Sequence, residues 1–157
     1  MTGAPFPPVA TLVPQSGPMC LLDRILAHDP TRTAASVDPA RSALLAAPDG
    51  SVPVFVGLEY LAQCIAAHGG LAAWTRGQTP HPGLFLGARR VSFGVPQFEQ
   101  DRELLVEVRH HRGERGLVVF DGTVREAQGG PPLVQGRLNV YIVESWKELD
   151  GGADRAD

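Results

Sequence analysis

Residues Val56–Thr75 read VGLEYLAQCIAAHGGLAAWT. Leu58, Leu61, Ala62, Ile65 and Ala66 fall at i, i+3, i+4, i+7 and i+8, which is helical spacing. Apart from Glu59, Gln63 and His68 the segment is apolar all round, so the helix it forms is buried rather than laid on a surface. The pair Gly69-Gly70 is a point where such a helix bends or ends. Nearly everything after it has a different period. In Leu104–His111, Leu104, Val106 and Val108 oppose Glu107 and Arg109. In Gly116–Ala127, Val118, Phe120 and Val124 oppose Asp121, Thr123 and Arg125. In Arg137–Glu144, Leu138, Val140 and Ile142 oppose Asn139, Tyr141 and Val143. Period-2 alternation predicts half-buried antiparallel strands. The turns between them are expected at Arg112–Arg115 and Gln128–Pro132. Phe85–Val95 reads as a further strand, and Leu21–Val37 contains one or two more.

Composition agrees with many short elements. The chain has 157 residues, one domain's worth. Its 18 Gly and 14 Pro make up about a fifth of it, against about 12% in an average protein. With 43% hydrophobic residues, that excess marks turns rather than disorder. A net charge of −3 leaves no electrostatic footprint for nucleic acid. No apolar run approaches the roughly 20 residues of a membrane span. Met1–Val9 lacks the basic and apolar regions of a signal peptide, so a cytoplasmic location is expected. Cys20 and Cys64 have neither a metal-ligand nor a disulfide spacing. Both read as small buried hydrophobes. The expected organisation is a single domain over residues 1–148, with a polar tail, Leu149–Asp157, that frays.

One buried helix and at least four antiparallel strands are most simply arranged as an α+β hot-dog fold, a curved sheet wrapped around a central helix. Three stretches carry a resemblance to a family with that fold. Leu12–Leu26, LVPQSGPMCLLDRIL, is similar to the opening of 3-hydroxyacyl-acyl-carrier-protein dehydratases, where PH-x-x-P-x-x-x-x-D-R is typical. Gly57–Gln63, GLEYLAQ, looks like their helix start, G-L-[DE]-x-x-x-Q. Leu84–Leu105 resembles their following strand, turn and D-x-L segment, and Arg137–Tyr141, RLNVY, fits their last strand. The nearest pattern is the dehydratase subfamily of aryl-polyene-type pigment pathways.

That resemblance implies a dimer, of two copies or with a paralogous dehydratase, that eliminates water from a 3-hydroxyacyl thioester. The thioester hangs on the phosphopantetheine of an acyl carrier protein, and no other cofactor and no metal is implied. It also implies a catalytic pair: an acidic helix residue, here Glu59, and a loop His from the other subunit, whose position is taken by Gln15. Elimination needs one group to remove the proton beside the thioester carbonyl and another to protonate the departing hydroxide. A carboxyl group beside an apolar helix suits the acid. A Gln amide cannot accept a proton at neutral pH, so the base is missing at Gln15. Three readings follow: a dehydratase with one catalytic residue or another base, an acyl-binding partner of an active paralogue, and a hot-dog thioesterase in which Gln15 orients a carbonyl or water attacked through Glu59.

The remaining candidates surround that pair. Gly57 or Leu58 would offer a backbone N–H to the thioester oxygen. Gln63, one turn beyond Glu59, points the same way and can bond it or a substrate group. Ser16 and Gly17 would orient the loop. Leu58, Ala62, Ile65, Ala66 and Phe93 would line the acyl tunnel. Arg89 and Arg90, sent to opposite faces by alternation, offer a cation to the phosphopantetheine phosphate or to an acidic carrier. Asp23 and Arg24 read as a structural pair, and Trp74 and Phe85 as core. Among the histidines, His68 lies nine positions after Glu59, about 900° round at about 100° per residue, and so on the opposite helix face. His28, His110 and His111 read as strand or turn residues. His81, in Thr79–Gly83, is the one candidate to replace the absent base.

Overall fold

The computed structural model describes residues 5–144, so the expected tail Leu149–Asp157 and the boundary at residue 148 lie outside the described residues. Three 3-10 turns precede the helix, at Val9–Thr11, Gly17–Met19 and Pro39–Leu45. The strands are β1 (Arg24–Asp29), β2 (Arg32–Val37), β3 (Val52–Pro53), β4 (Gly83–Phe93), β5 (Gln97–Phe98), β6 (Leu104–Glu114), β7 (Leu117–Glu126) and β8 (Val134–Ile142). The helix α1 spans Val56–Thr75.

Six strands form one antiparallel sheet in the order β1-β2-β6-β7-β8-β4, and β3 pairs with β5. The sheet packs against α1 through β2, β6, β7 and β8. Alternation places Leu104, Val106 and Val108 of β6 and Leu138 and Val140 of β8 in the core. Tyr60, Leu61, Cys64, Ala67 and Leu71 of α1 meet them, all fully buried. The expected turn at Arg112–Arg115 is displaced, because β6 runs on to Glu114. Arg115 and Gly116, with φ of 51° and 84°, make the two-residue connection to β7. Positive φ at both positions is what a tight hairpin between twisted strands demands.

The helix does not end at Gly69-Gly70. A Cβ at Gly70 would run into the carbonyl of Leu12, so this glycine lets the N-terminal segment cross the helix at close range. That crossing places Leu12–Gln15 beside α1.

Two expectations about the core need correction. Trp74 and Phe85 are 52% and 49% exposed. Trp74 stands in the last turn of α1, and Phe85 stands on β4, a sheet edge. Nor do Arg89 and Arg90 alternate, because the register with β8 slips between Arg89 and Ser92. Arg90, at φ 52°, sits in that bulge.

Candidate active site

The N-terminal half of α1 and the loop before β1 are joined by one side chain. Gln63 is fully buried. Its Oε1 accepts from the Leu21 N–H at 2.9 Å, and its Nε2 donates to the Met19 carbonyl at 2.7 Å and to Glu59 Oε1 at 2.9 Å. The amide thus closes two backbone groups of the loop and orients the carboxylate one turn below it. Glu59 is half-buried, in the first turn of the helix, where the helix dipole favours negative charge. The carboxylate therefore has a fixed hydrogen-bond partner and an open side.

Gln15 occupies a different wall. A cavity of about 310 Å³ lies between α1, the N-terminal segment, the start of β4 and the end of β8. Ala62, Ile65, Ala66 and Gly69 form its helical side, Thr11–Gln15 its roof, and Pro80–Gly83, Phe85, Val140 and Ile142 the rest. The volume falls within the range of small-molecule pockets. Three of the expected tunnel residues, Ala62, Ile65 and Ala66, line it; Leu58, Phe93 and Glu59 do not. Gln15 Oε1 is buried there and has no hydrogen-bond partner among the described residues. His81 lines the same cavity, and its Nδ1 lies 3.1 Å from the Glu144 carbonyl. Within one chain, Gln15 and Glu59 thus belong to adjacent but separate surfaces.

The other candidates are placed as follows. The Gly57 N–H donates to the Val54 carbonyl at 2.9 Å, and the Leu58 N–H to that of Phe55 at 3.0 Å, so both amides serve the first turn of the helix. A Cβ at Gly57 would come within 2.8 Å of Val134 Cγ2, so this position packs the helix onto β8. Ser16 and Gly17 are exposed and open the Gly17–Met19 turn, in which their carbonyls accept from Met19 and Cys20. Arg89 is exposed opposite Arg137. Arg90 lines a hollow of about 250 Å³ with Asp121, Thr123 and Arg137. Asp23 and Arg24 do pair, at 3.6 Å, and Arg41 joins them. Burial pushes the Cys20 thiol up from its ordinary range, and the buried Cys64 thiol further still, so neither is a thiolate nucleophile.

One polar cluster was not legible in the sequence. His68 does lie on the face away from Glu59, where its Nδ1 shares the Thr33 hydroxyl, at 2.8 Å, with Nδ1 of His28, also at 2.8 Å. The rings of His28 and Phe120 meet His68 edge-on. Burial, followed by the neighbouring His28 and His110, pulls the His68 pKa down to about 4. It is a neutral, structural imidazole.

A six-stranded antiparallel sheet packed against one long buried helix defines a hot-dog protein. The ApeP-like family model, described as ApeP dehydratase, matches residues 7–150, and the chain belongs to that family. Among solved structures it is similar to the dehydratase heterocomplex ApeI:P from Xenorhabdus doucetiae. That match has 25% identity and a TM-score of 0.84, and covers 95% of this chain and 99% of the other. A zebra fish thioesterase superfamily member 2 shares the fold at 12% identity and a TM-score of 0.61, covering 85% and 91%. So does a hypothetical thioesterase with coenzyme A from Streptococcus pneumoniae, at 14% identity and a TM-score of 0.58, covering 78% and 86%. No curated protein sequence matches the chain. No helix among the described residues is long and apolar enough to cross a membrane.

Proposed function

We propose that this chain is a subunit of a cytoplasmic dehydratase that removes water from 3-hydroxyacyl thioesters carried on the phosphopantetheine of an acyl carrier protein. It supplies Glu59 as the acid, and a paralogous subunit completes the site. The observation that carries this reading is the Gln63 relay, which holds a half-buried helix carboxylate in one orientation against the N-terminal loop. In the reaction, the C–H bond beside the thioester carbonyl breaks to a base and its electron pair forms the new double bond. The C–O bond at the third carbon breaks as Glu59 passes its proton to the departing oxygen, which leaves as water. Gln15 cannot be that base.

The base therefore comes from outside the Gln15 position; one observation supports a paralogous partner as its source, and a second supports pairing with another chain. The similar structure from Xenorhabdus doucetiae is a heterocomplex. Strand β4, eleven residues long, forms a sheet edge and exposes Phe85, Leu86 and Phe93. A long apolar edge is a template for pairing with another chain.

The deciding experiment supplies a 3-hydroxyacyl carrier protein to the chain alone and to the chain co-purified with a paralogous dehydratase. Enoyl product from the complex, with little from the chain alone, is expected. Release of free carrier thiol in place of enoyl product would move the assignment to a thioesterase.

A further inference from the structure

We propose that the outer face of the sheet carries a binding site for a phosphate group, built around Arg90 at the bulge of β4. The inference goes beyond the dehydratase reading and does not depend on it.

The site lies away from α1. A Cβ at Gly122 would meet Leu61 of the helix, so Gly122 faces inward and its neighbours Asp121 and Thr123 face outward. Arg137 and Gln135, directly opposite Asp121 and Thr123, share that outward face. With Arg90 these four side chains line a hollow of about 250 Å³. Glu59 stands on α1, which packs against the other face, so the hollow is a second site and not a part of the first.

Two features there are unfavourable for the chain on its own. Arg89 stands directly opposite Arg137 across β4 and β8, and like charges so placed repel. Arg90 takes a φ of 52°, a left-handed conformation that is strained for a residue with a Cβ. Strain of this kind collects where a ligand is held. The hydrogen-bonding groups left over in the hollow are donors. Asp121, its one carboxylate, accepts from Arg137 Nε at 2.8 Å and Nη2 at 3.4 Å and lies 3.3 Å from His111 Nδ1. Arg137 keeps further N–H groups to spare. The Arg90 guanidinium, the Thr123 hydroxyl and the Gln135 amide have no side-chain partner among the described residues. Two arginines against one carboxylate leave the hollow net positive, and Arg89 adds to that. A carboxylate ligand has two oxygens, and the Arg90 fork alone would occupy both. A phosphate group has enough oxygens for Arg90, Arg137, Thr123 and Gln135 together. Bound there, it ties the edge strand β4 to β7 and β8.

The test is calorimetric titration of the full chain with sodium phosphate and, separately, with glycerol 3-phosphate. Sodium chloride holds the ionic strength fixed, so that screening is constant. Saturable binding is expected. Arg90→Gly removes the guanidinium and suits the left-handed backbone, so it should fold at least as well while binding about tenfold more weakly. Arg76→Gln, which removes a cation at the far end of α1, should leave binding unchanged. Tighter binding of glycerol 3-phosphate assigns the site to a phosphate monoester, and equal or tighter binding of inorganic phosphate assigns it to the free ion. Absence of saturable binding by both probes overturns the inference. So does binding that survives Arg90→Gly or falls equally with Arg76→Gln. Enoyl formation is not among these readouts, so the dehydratase reading stands or falls apart from them.

Discussion

Helix α1 buries one polar side chain on each of two faces, and the two are satisfied in opposite ways. Gln63 reaches out of the helix to the loop, bonding the Met19 carbonyl and the Leu21 N–H, and spends its remaining contact on Glu59. His68 reaches into the sheet, shares the Thr33 hydroxyl with His28, and is enclosed by the rings of His28 and Phe120. Both obey the rule that buried polar groups find partners. The first network ends on a carboxylate with an open side, and the second ends on itself. An open end is where chemistry has room, whereas a closed network specifies packing. His68 is thus the better buried titratable group and the poorer catalytic candidate.

Replacing Gln63 with Leu should break the first network with the largest effect. The Met19 carbonyl and the Leu21 N–H would lose their partner in a buried setting, and each such loss costs about 1–3 kcal/mol. We expect about 3 kcal/mol less stability in urea unfolding, with activity reduced further in the protein that remains folded, because Glu59 loses its tether. A Gln63→Leu variant that kept full activity would show that the tether does not matter.

The second network should appear as acid sensitivity. The folded pKa of His68, about 4, lies below the ordinary value of about 6.5. Its contribution to stability is therefore complete above pH 6.5 and is lost as the pH falls from 6.5 towards 4, because the unfolded chain takes up the proton first. Linkage puts the loss at about 2–3 kcal/mol across that window. His68→Phe should flatten the pH dependence of the melting temperature over the same window. An unchanged slope would assign the acid sensitivity to other groups.

The smallest stability effect is expected at the open end. Glu59→Gln keeps the shape and the hydrogen-bond acceptor toward Gln63, so a stability change of at most about 1 kcal/mol is expected. A loss of several kcal/mol would mean that Glu59 belongs to the fold as firmly as His68 does.

The sequence made some of this legible and hid the rest for identifiable reasons. The helix Val56–Thr75 emerges with its observed limits because its apolar spacing and its contrast with the period-2 strands are local signals. The Glu59–Gln63 contact is readable from their separation of one turn. The partners of Gln63, some forty residues earlier in the chain, are not, nor is Thr33 as the partner of His68, because no local periodicity encodes a contact across layers. Trp74 and Phe85 read as core because an aromatic residue in a sequence does not declare whether its strand or helix end lies at an edge. The bulge at Arg90 defeats alternation for the same local reason, since nothing in Gly87–Ser92 marks which residue leaves the register. The family resemblance supplies what spacing cannot, by directing attention to Gln15, whose buried oxygen is the informative atom of the cavity.

The central claim is that Glu59 transfers the proton in a dehydratase site that this chain shares with a paralogous partner. The most direct measurement is the rate of enoyl formation from a 3-hydroxyacyl carrier protein by the purified complex, with and without Glu59→Gln, at equal complex stability. A fall of about 10²–10⁴-fold, the usual weight of a positioned acid, is predicted. A complex carrying Glu59→Gln that turns over at the unaltered rate would contradict the account.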